Sequence, residues 1–121
     1  INSGKEIHII YMPPKMLVDP PLILARRTLI GYDLSGSDIS ISKQEYESET
    51  LSTTTFLDGI VNKYNINKIN ISEHLWDPKT LKYHGVNNGK VLYRDNIHLS
   101  QFGANTIASF IANKFFGDNK K

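Results

Sequence analysis

Segments with the residue pattern of β-strands alternate along the chain with segments of helical pattern. The run from Glu6 to Tyr11 is rich in branched residues, and the run from Ile66 to Ile71 alternates apolar and polar side chains. A loop and a helical stretch follow each run. Because a helix between two strands usually returns the second strand parallel to the first, this order predicts an α/β fold with a parallel sheet flanked by helices.

The longer helix predicted between the two strands has a recognisable N-terminal signal. Ser42–Glu45 fits a capping box, in which a serine and a glutamate satisfy each other's backbone amides. We therefore predict a helix from about residue 43 to 64, although the threonines at 53–55 weaken its middle. Its apolar side chains recur at helical spacing and comprise Leu51, Phe56, Leu57, Ile60, Val61 and Tyr64.

Two further helices are predicted from the positions of their apolar residues and their end signals. A short one runs from Leu22 to Ile30, between Pro21 and Gly31. The last runs from about Ser100 to Phe116 and ends near Gly117. One apolar face of this last helix contains Ala104, Ile107, Ala108, Ile111 and Phe115.

The remaining segments are rich in turn-forming residues. Pro13-Pro14 and Asp19–Pro21 predict a structured loop after the first strand, and Asp33–Asp38 is a polar loop. The segment Ser72–Lys90 predicts a long irregular loop with room for a helical turn or a small hairpin, and Asn87–Gly89 reads as a turn. In α/β folds, loops at strand ends are where functional sites lie.

Composition excludes several function classes. The chain has no cysteine, so disulfides, thiolate nucleophiles and thiolate metal sites are ruled out. A net charge of +2 without a clustered basic face does not indicate nucleic-acid binding. The sequence has no apolar run of the roughly 20 residues that cross a bilayer, and we expect no signal peptide in it.

The pair Asp95 and His98 is the strongest candidate for chemistry. The two residues are three positions apart, immediately before the last helix, so one turn can bring the carboxylate to the imidazole. A histidine acting as a general base needs one ring nitrogen held and its developing positive charge offset, and a carboxylate does both. By itself, however, this spacing also arises by chance, and a histidine at a helix start can simply cap or pack.

The wider block Leu92–Ala104 resembles the final block of the SGNH hydrolase superfamily. Its closest likeness is to the SGNH domain fused behind the membrane-embedded acyltransferase-3 domain of bacterial polysaccharide O-acyltransferases. In that family a Tyr-x-Asp-x-x-His-Leu-Ser-x-x-Gly-Ala pattern recurs. The matching residues are Tyr93, Asp95, His98, Leu99, Ser100, Gly103 and Ala104.

This resemblance implies a flavodoxin-like, three-layer α/β fold and a Ser-His-Asp triad. Asp95 and His98 map onto two triad members, and a serine near the first strand of the family's fold is the third. A glycine and an asparagine in earlier family blocks supply the oxyanion donors. The resemblance also implies an acyl donor, a carbohydrate acceptor, no cofactor, and a location at the periplasmic face of the bacterial inner membrane.

The nucleophile block of the family does not occur in this sequence. Gly31–Ser37 contains the right residue types, but it lies in a polar loop without a preceding strand, so we interpret it as a turn. We therefore expect residues 1–121 to be the C-terminal portion of one SGNH-like domain, with the serine upstream of Ile1. Such a chain should be inactive alone and should pair with the upstream part of its own polypeptide.

Three alternatives remain open at this stage. His74, His84, His98 and Asp95 could gather as a metal site, although no helical i, i+4 spacing supports one, so we expect no metal. Trp76 and Tyr83 could form a wall for sugar stacking, although packing of the loop is the commoner role. The whole chain could also be a non-catalytic accessory or carbohydrate-binding module on the same scaffold.

Overall fold

The computed structural model describes residues 4–117. Helices and short strands alternate along this part of the chain. The helices are α1 (Pro20–Ile30), α2 (Lys43–Tyr64), α3 (Ser72–Leu75) and α4 (Gln101–Phe116). The strands are β1 (His8–Tyr11), β2 (Ser40–Ser42), β3 (Asn67–Asn70), β4 (Trp76–Asp77), β5 (Lys82–His84), β6 (Val86–Asn87) and β7 (Lys90–Val91). None of the described helices is long and apolar enough to cross a membrane.

β1 and β3 form a parallel pair. Their register places His8 opposite Asn67 and Tyr11 opposite Asn70. The chain between them contains α1, β2 and α2, so the predicted return of a parallel strand after helical sequence is confirmed. Within residues 4–117 this parallel ladder has two strands, so the wider flavodoxin-like sheet stays a prediction.

A second, antiparallel sheet was not predicted from the sequence. Its strand order is β2-β5-β4, with Ile41 opposite Tyr83 and Trp76 opposite Tyr83 from the other side. These strands have two or three residues each, which is too short for an alternating pattern to stand out. The segment 72–90 is therefore more regular than expected, because it supplies two strands of this sheet and the short helix α3.

The expected small hairpin is present as β6 and β7. Val86 pairs with Val91, and Asn87 pairs with Lys90. The two turn residues, Asn88 and Gly89, have φ angles of 51° and 76°. Positive φ at both central residues is the signature of the two-residue hairpin turns that asparagine and glycine favour.

The predicted helix ends are confirmed to within a few residues. α2 runs over the predicted positions and has both hydrogen bonds of the capping box between Ser42 and Glu45. α1 begins at Pro20, two residues before the predicted start, because Asp19 accepts a hydrogen bond from the Leu22 amide as N-cap. It ends at Ile30 and is capped by Gly31, whose φ of 69° is the left-handed conformation that glycine adopts without strain.

The expected apolar helix faces are only partly covered by the described residues. On α2, Leu51 and Phe56 are 66% and 68% exposed, and the buried residues are Tyr46 and Thr50. On α4, Ile107 is buried as expected, whereas Ala104 and Ala108 are exposed. Helical periodicity identifies residues that share a face, but packing by distant segments decides which face is buried.

The hydrophobic core is built from strands of both the parallel pair and the antiparallel sheet, from helices and from loops. Ile41, Ile69 and Ile71 come from the strand regions, and Tyr93 and Met16 come from the two loops that meet at the candidate site. Tyr93 and Met16 are each 1% exposed. The loop that contains the candidate site is therefore anchored directly in the core.

Candidate active site

Asp95 and His98 lie in a tight loop between β7 and α4. The loop is closed at its base, where the Arg94 amide donates to the His98 carbonyl at 2.9 Å. On the side of this hydrogen bond away from the loop tip, Tyr93 and Leu99 form an isolated antiparallel bridge. Both triad candidates therefore sit at the tip of a short, hydrogen-bonded loop, which fixes their backbones relative to each other.

The carboxylate of Asp95 binds the loop and the imidazole at the same time. Oδ1 accepts hydrogen bonds from the amides of Ile97 and His98, each at 2.7 Å. Oδ2 lies 2.8 Å from Nδ1 of His98. Three hydrogen bonds favour the ionised carboxylate, in decreasing order those from the His98 amide, the Ile97 amide and the imidazole. The pKa of Asp95 is therefore well below its usual range.

This contact determines which nitrogen of His98 carries the proton. An ionised carboxylate only accepts hydrogen bonds, so Nδ1 of His98 must be the donor. In the neutral ring, the lone pair then resides on Nε2. The His98 side chain is 61% exposed, and Nε2 makes no hydrogen bond to any residue of the described part of the chain. The imidazole is therefore oriented on its Nδ1 side and open on its Nε2 side.

The start of α4 holds the loop from its C-terminal side. Ser100 is the N-cap, and its hydroxyl accepts from the Gly103 amide at 3.0 Å while donating to the Val91 carbonyl at 2.7 Å. The Ser100 amide also donates to the Leu92 carbonyl at 2.9 Å. A Cβ on Gly103 would lie 2.1 Å from the Leu92 carbonyl oxygen, so the helix approaches the backbone that follows β7 at a distance that only glycine permits.

The proline-rich loop after β1 holds the site from the other side, which sequence reasoning missed. The Tyr93 hydroxyl donates to the Pro14 carbonyl at 2.6 Å, and the Met16 amide donates to the Asn96 carbonyl at 2.8 Å. Asn96 lies between the two candidate residues in sequence. Loops that follow strands were expected to matter, but nothing in the sequence paired this loop with residues about 80 positions away.

The serines of the 31–37 segment are not part of the Asp95–His98 site. The Ser35 hydroxyl donates to Asp33 Oδ2 at 2.8 Å, which is turn chemistry. Ser35 and Ser37 line a cleft whose lining residues do not include Asp95 or His98. In the part of the chain that the structure describes, His98 has no hydrogen bond to a serine.

His74 and His84, the other two histidines of the candidate metal set, each contact other side chains. His74 stacks on Phe110 with 5.0 Å between ring centroids, and His84 Nε2 lies 2.7 Å from the Thr80 hydroxyl. Across residues 4–117, no three side chains of metal-binding type form a cluster that could hold an ion. The structure thus brings His98 and Asp95 together but does not gather them with His74 and His84 into one site.

The two aromatic residues of the proposed sugar wall have different environments. Tyr83 is 7% exposed and packs between Tyr46 and Trp76, with both centroid distances at 4.9 Å. Tyr83 therefore packs in the core and forms no wall. Trp76 is half-buried and lines the cleft that contains Ser35 and Ser37.

Comparison with known proteins gives one result. A family described as the SGNH domain fused to AT3 domains matches residues 1–113. No curated protein and no solved structure matches the chain. The family match covers nearly the whole sequence, including the Asp95–His98 loop and both segments that hold it in place. The chain therefore belongs to the family of SGNH domains that are fused to acyltransferase-3 domains.

Proposed function

We propose that this chain is part of an acyltransferase or esterase domain that acts on acyl esters, acetyl above all, of bacterial cell-surface carbohydrate. The observation that carries the proposal is the 2.8 Å contact between Asp95 Oδ2 and His98 Nδ1, which leaves Nε2 as an open base. Family membership supports acyl-group chemistry of the acyltransferase or esterase type.

In this proposal His98 moves the protons. Its Nε2 takes the proton from a serine hydroxyl as the serine oxygen attacks the acyl carbonyl. His98 then delivers that proton to the departing donor oxygen, which leaves an acyl-serine ester. In the second half the same nitrogen deprotonates a carbohydrate hydroxyl or water, and the proton finally returns to the serine as its ester bond breaks.

Asp95 keeps its charge throughout and acts by orientation and electrostatics. Its hydrogen bonds to the Ile97 and His98 amides hold the carboxylate still, so the imidazole cannot rotate away from the serine. The carboxylate also offsets the positive charge that develops on the ring. The exposure of His98 leaves room for a serine to approach Nε2 from outside the described residues.

The serine and the oxyanion donors are proposed to come from an upstream part of the same polypeptide, and so is the rest of a flavodoxin-like sheet beside β1 and β3. This is supported by the absence of a Gly-Asp-Ser block from the sequence. The fusion of the family to AT3 domains supports an upstream acyltransferase-3 partner. By its resemblance to bacterial polysaccharide O-acyltransferases, we also propose that the domain lies at the periplasmic face of the inner membrane.

The test is hydrolysis of a chromogenic acetate ester by the complete protein that contains this chain and its serine block. His98→Ala should lower kcat/KM by about 10⁶-fold, because the general base is lost. Asp95→Asn should lower it by about 10⁴-fold, since the amide holds the wrong tautomer. The 121-residue chain alone should show only background hydrolysis.

Glu47→Gln is the matched control for the carboxylate change. Glu47 is 62% exposed on α2, and its replacement should leave kcat/KM unchanged. Unchanged turnover in His98→Ala would overturn the proposal and favour a non-catalytic carbohydrate-binding module. Hydrolysis by the pure 121-residue chain would show that a serine within it is the nucleophile.

A further inference from the structure

A second site is formed by a cleft that does not include the Asp95–His98 loop among its lining residues. The cleft has a volume of about 470 Å³ and lies between the 35–37 loop, the 74–80 segment, the β6–β7 turn and Thr106 of α4. This volume falls within the range of roughly 300–1,000 Å³ that small-molecule sites occupy. Its lining combines one tryptophan with hydroxyl, amide and imidazole groups.

Three of the lining side chains form a fixed hydrogen-bonded chain. Thr80 Oγ1 lies 3.0 Å from Asp77 Oδ2 and 2.7 Å from His84 Nε2. A threonine hydroxyl has a single proton, and an ionised carboxylate only accepts, so Thr80 donates to Asp77 and accepts from His84. His84 therefore carries its proton on Nε2, and its Nδ1 is the hydrogen-bond acceptor.

Nδ1 of His84 is available to a ligand. It makes no hydrogen bond to the residues at 4–117, and it is not among their buried polar atoms without a partner, so it is in contact with solvent. The side chain as a whole is only 16% exposed, which restricts its rotation. His84 lines the cleft, and its Nδ1 is an acceptor to which a ligand hydroxyl there can donate.

The charge of the cleft argues for a neutral ligand. No lysine or arginine of the described residues lines it, so it lacks the groups that bind phosphate or carboxylate. The single carboxylate, Asp77, already accepts from the Lys79 amide and from Thr80. These hydrogen bonds lower the pKa of Asp77, and the bond from the Lys79 amide has the largest effect. Asp77 therefore stays charged and repels anions.

The shape and polarity of the lining fit a sugar ring. Trp76 is braced by Tyr83 at 4.9 Å, so its indole is held as a fixed apolar surface on which C–H groups can pack. The hydroxyl of Ser37 and the amide of Asn88 add groups that both donate and accept, and the Ser35 hydroxyl, which donates to Asp33, adds an acceptor. An aromatic surface bordered by such groups suits a ring with C–H faces and hydroxyl edges.

We propose that this cleft binds a neutral glycosyl unit, with a sugar hydroxyl donating to Nδ1 of His84 and the ring against Trp76. The binding itself does not depend on the catalytic pair. Its role as the site for the carbohydrate acceptor rests on the proposed function. The cleft would then hold the sugar chain, while Asp95 and His98 act on the hydroxyl or ester that reaches them.

The experiment uses the intrinsic fluorescence of the 121-residue chain, in which Trp76 is the only tryptophan. The titrants are the neutral methyl glycosides of glucose, galactose, rhamnose and N-acetylglucosamine, with methyl glucuronide as the anionic comparison. At least one neutral glycoside should change the emission saturably, with a Kd on the order of millimolar. Methyl glucuronide should bind at least about tenfold more weakly, because Asp77 repels it.

Two cleft variants and one control sharpen the test. His84→Ala should weaken binding about tenfold, which corresponds to the loss of one hydrogen bond. Asn88→Gly removes a lining amide at a turn position whose φ of 51° glycine adopts without strain. This variant should therefore fold normally, and it should bind the glycoside more weakly. Tyr32→Phe, on an exposed ring outside the cleft, should bind as the parent does.

His98→Ala separates this inference from the proposed function. It should abolish ester turnover in the complete protein and leave glycoside binding unchanged, because His98 does not line the cleft. No saturable response to any of the four neutral glycosides would overturn the inference, and so would an undiminished response in both cleft variants. Sugar binding with unchanged turnover in His98→Ala would instead overturn the proposed function alone.

Discussion

The hydroxyl of Tyr93 donates a hydrogen bond of 2.6 Å to the carbonyl of Pro14. This bond joins the loop that leaves β1 to the segment that carries Asp95 and His98. Both partners are buried, and Tyr93 is 1% exposed. Burial raises the pKa of the Tyr93 hydroxyl far above its usual value, so it keeps its proton and remains a donor at neutral pH.

Tyr93→Phe tests the contribution of that bond. The substitution keeps the packed ring but leaves a buried carbonyl without its donor, which should lower the free energy of unfolding by about 1–3 kcal/mol. Urea unfolding followed by far-UV circular dichroism measures the change. Tyr32→Phe is the control, because the Tyr32 ring is 59% exposed and its hydroxyl should contribute less than about 0.5 kcal/mol. Equal losses in both variants would argue against a special role for Tyr93.

Gly103→Ala tests the close approach of α4 to the Leu92 carbonyl. Alanine normally stabilises a helix interior, but here its Cβ would lie 2.1 Å from a backbone oxygen, which cannot move without shifting the strand. We expect a loss of about 1–3 kcal/mol or more from the forced displacement. Gly59→Ala in α2 is the opposite case, since nothing lies within 4 Å of the position that its added methyl group would take.

For Gly59→Ala we expect a gain of about 0.5–1 kcal/mol from helix propensity alone. Both variants are compared by thermal unfolding under the same conditions. The two substitutions should therefore change the unfolding temperature in opposite directions. A gain in both would mean that the helix start is less tightly packed than its geometry indicates.

Asp95→Asn tests how much the charge of Asp95 stabilises the protein, through the pH dependence of the free energy of unfolding. The folded-state pKa of Asp95 is lowered, so the stabilisation from its charge is present above its unfolded pKa and is lost as the pH falls below it. The variant should be less stable than the parent at pH 7, and the difference should shrink below about pH 4, where the unfolded carboxyl takes up its proton. Urea unfolding at several pH values measures this, and a constant difference would contradict it.

Ser42→Ala tests the capping box at the start of α2. The Ser42 hydroxyl accepts from the Glu45 amide at 3.1 Å, and the Glu45 carboxylate accepts from the Ser42 amide at 2.7 Å. Loss of the cap should cost about 1 kcal/mol. Ser48→Ala, at an exposed position inside the same helix, should instead give a gain of a few tenths, about 0.5 kcal/mol at most. Urea unfolding separates the two, and a gain in Ser42→Ala would contradict the capping role.

The sequence alone determined the features that depend on neighbouring residues. The ends of α2 followed from the capping box, the Asn88–Gly89 turn from residues that tolerate positive φ, and the Asp95–His98 pairing from a separation of three positions. In each case the interacting groups lie within one turn of chain, so local geometry leaves few alternatives.

The tertiary structure decided everything that depends on distant contacts. The pairing of β2 with β5, the hydrogen bonds from the Pro14–Met16 segment to the Asp95–His98 loop, and the cleft around His84 each join segments about 30 to 80 positions apart. Strands of two or three residues have no periodicity to read, and a backbone carbonyl such as that of Pro14 leaves no mark in the sequence. Packing of the whole chain therefore determined what surrounds Asp95 and His98, whereas the local sequence had already brought those two residues together.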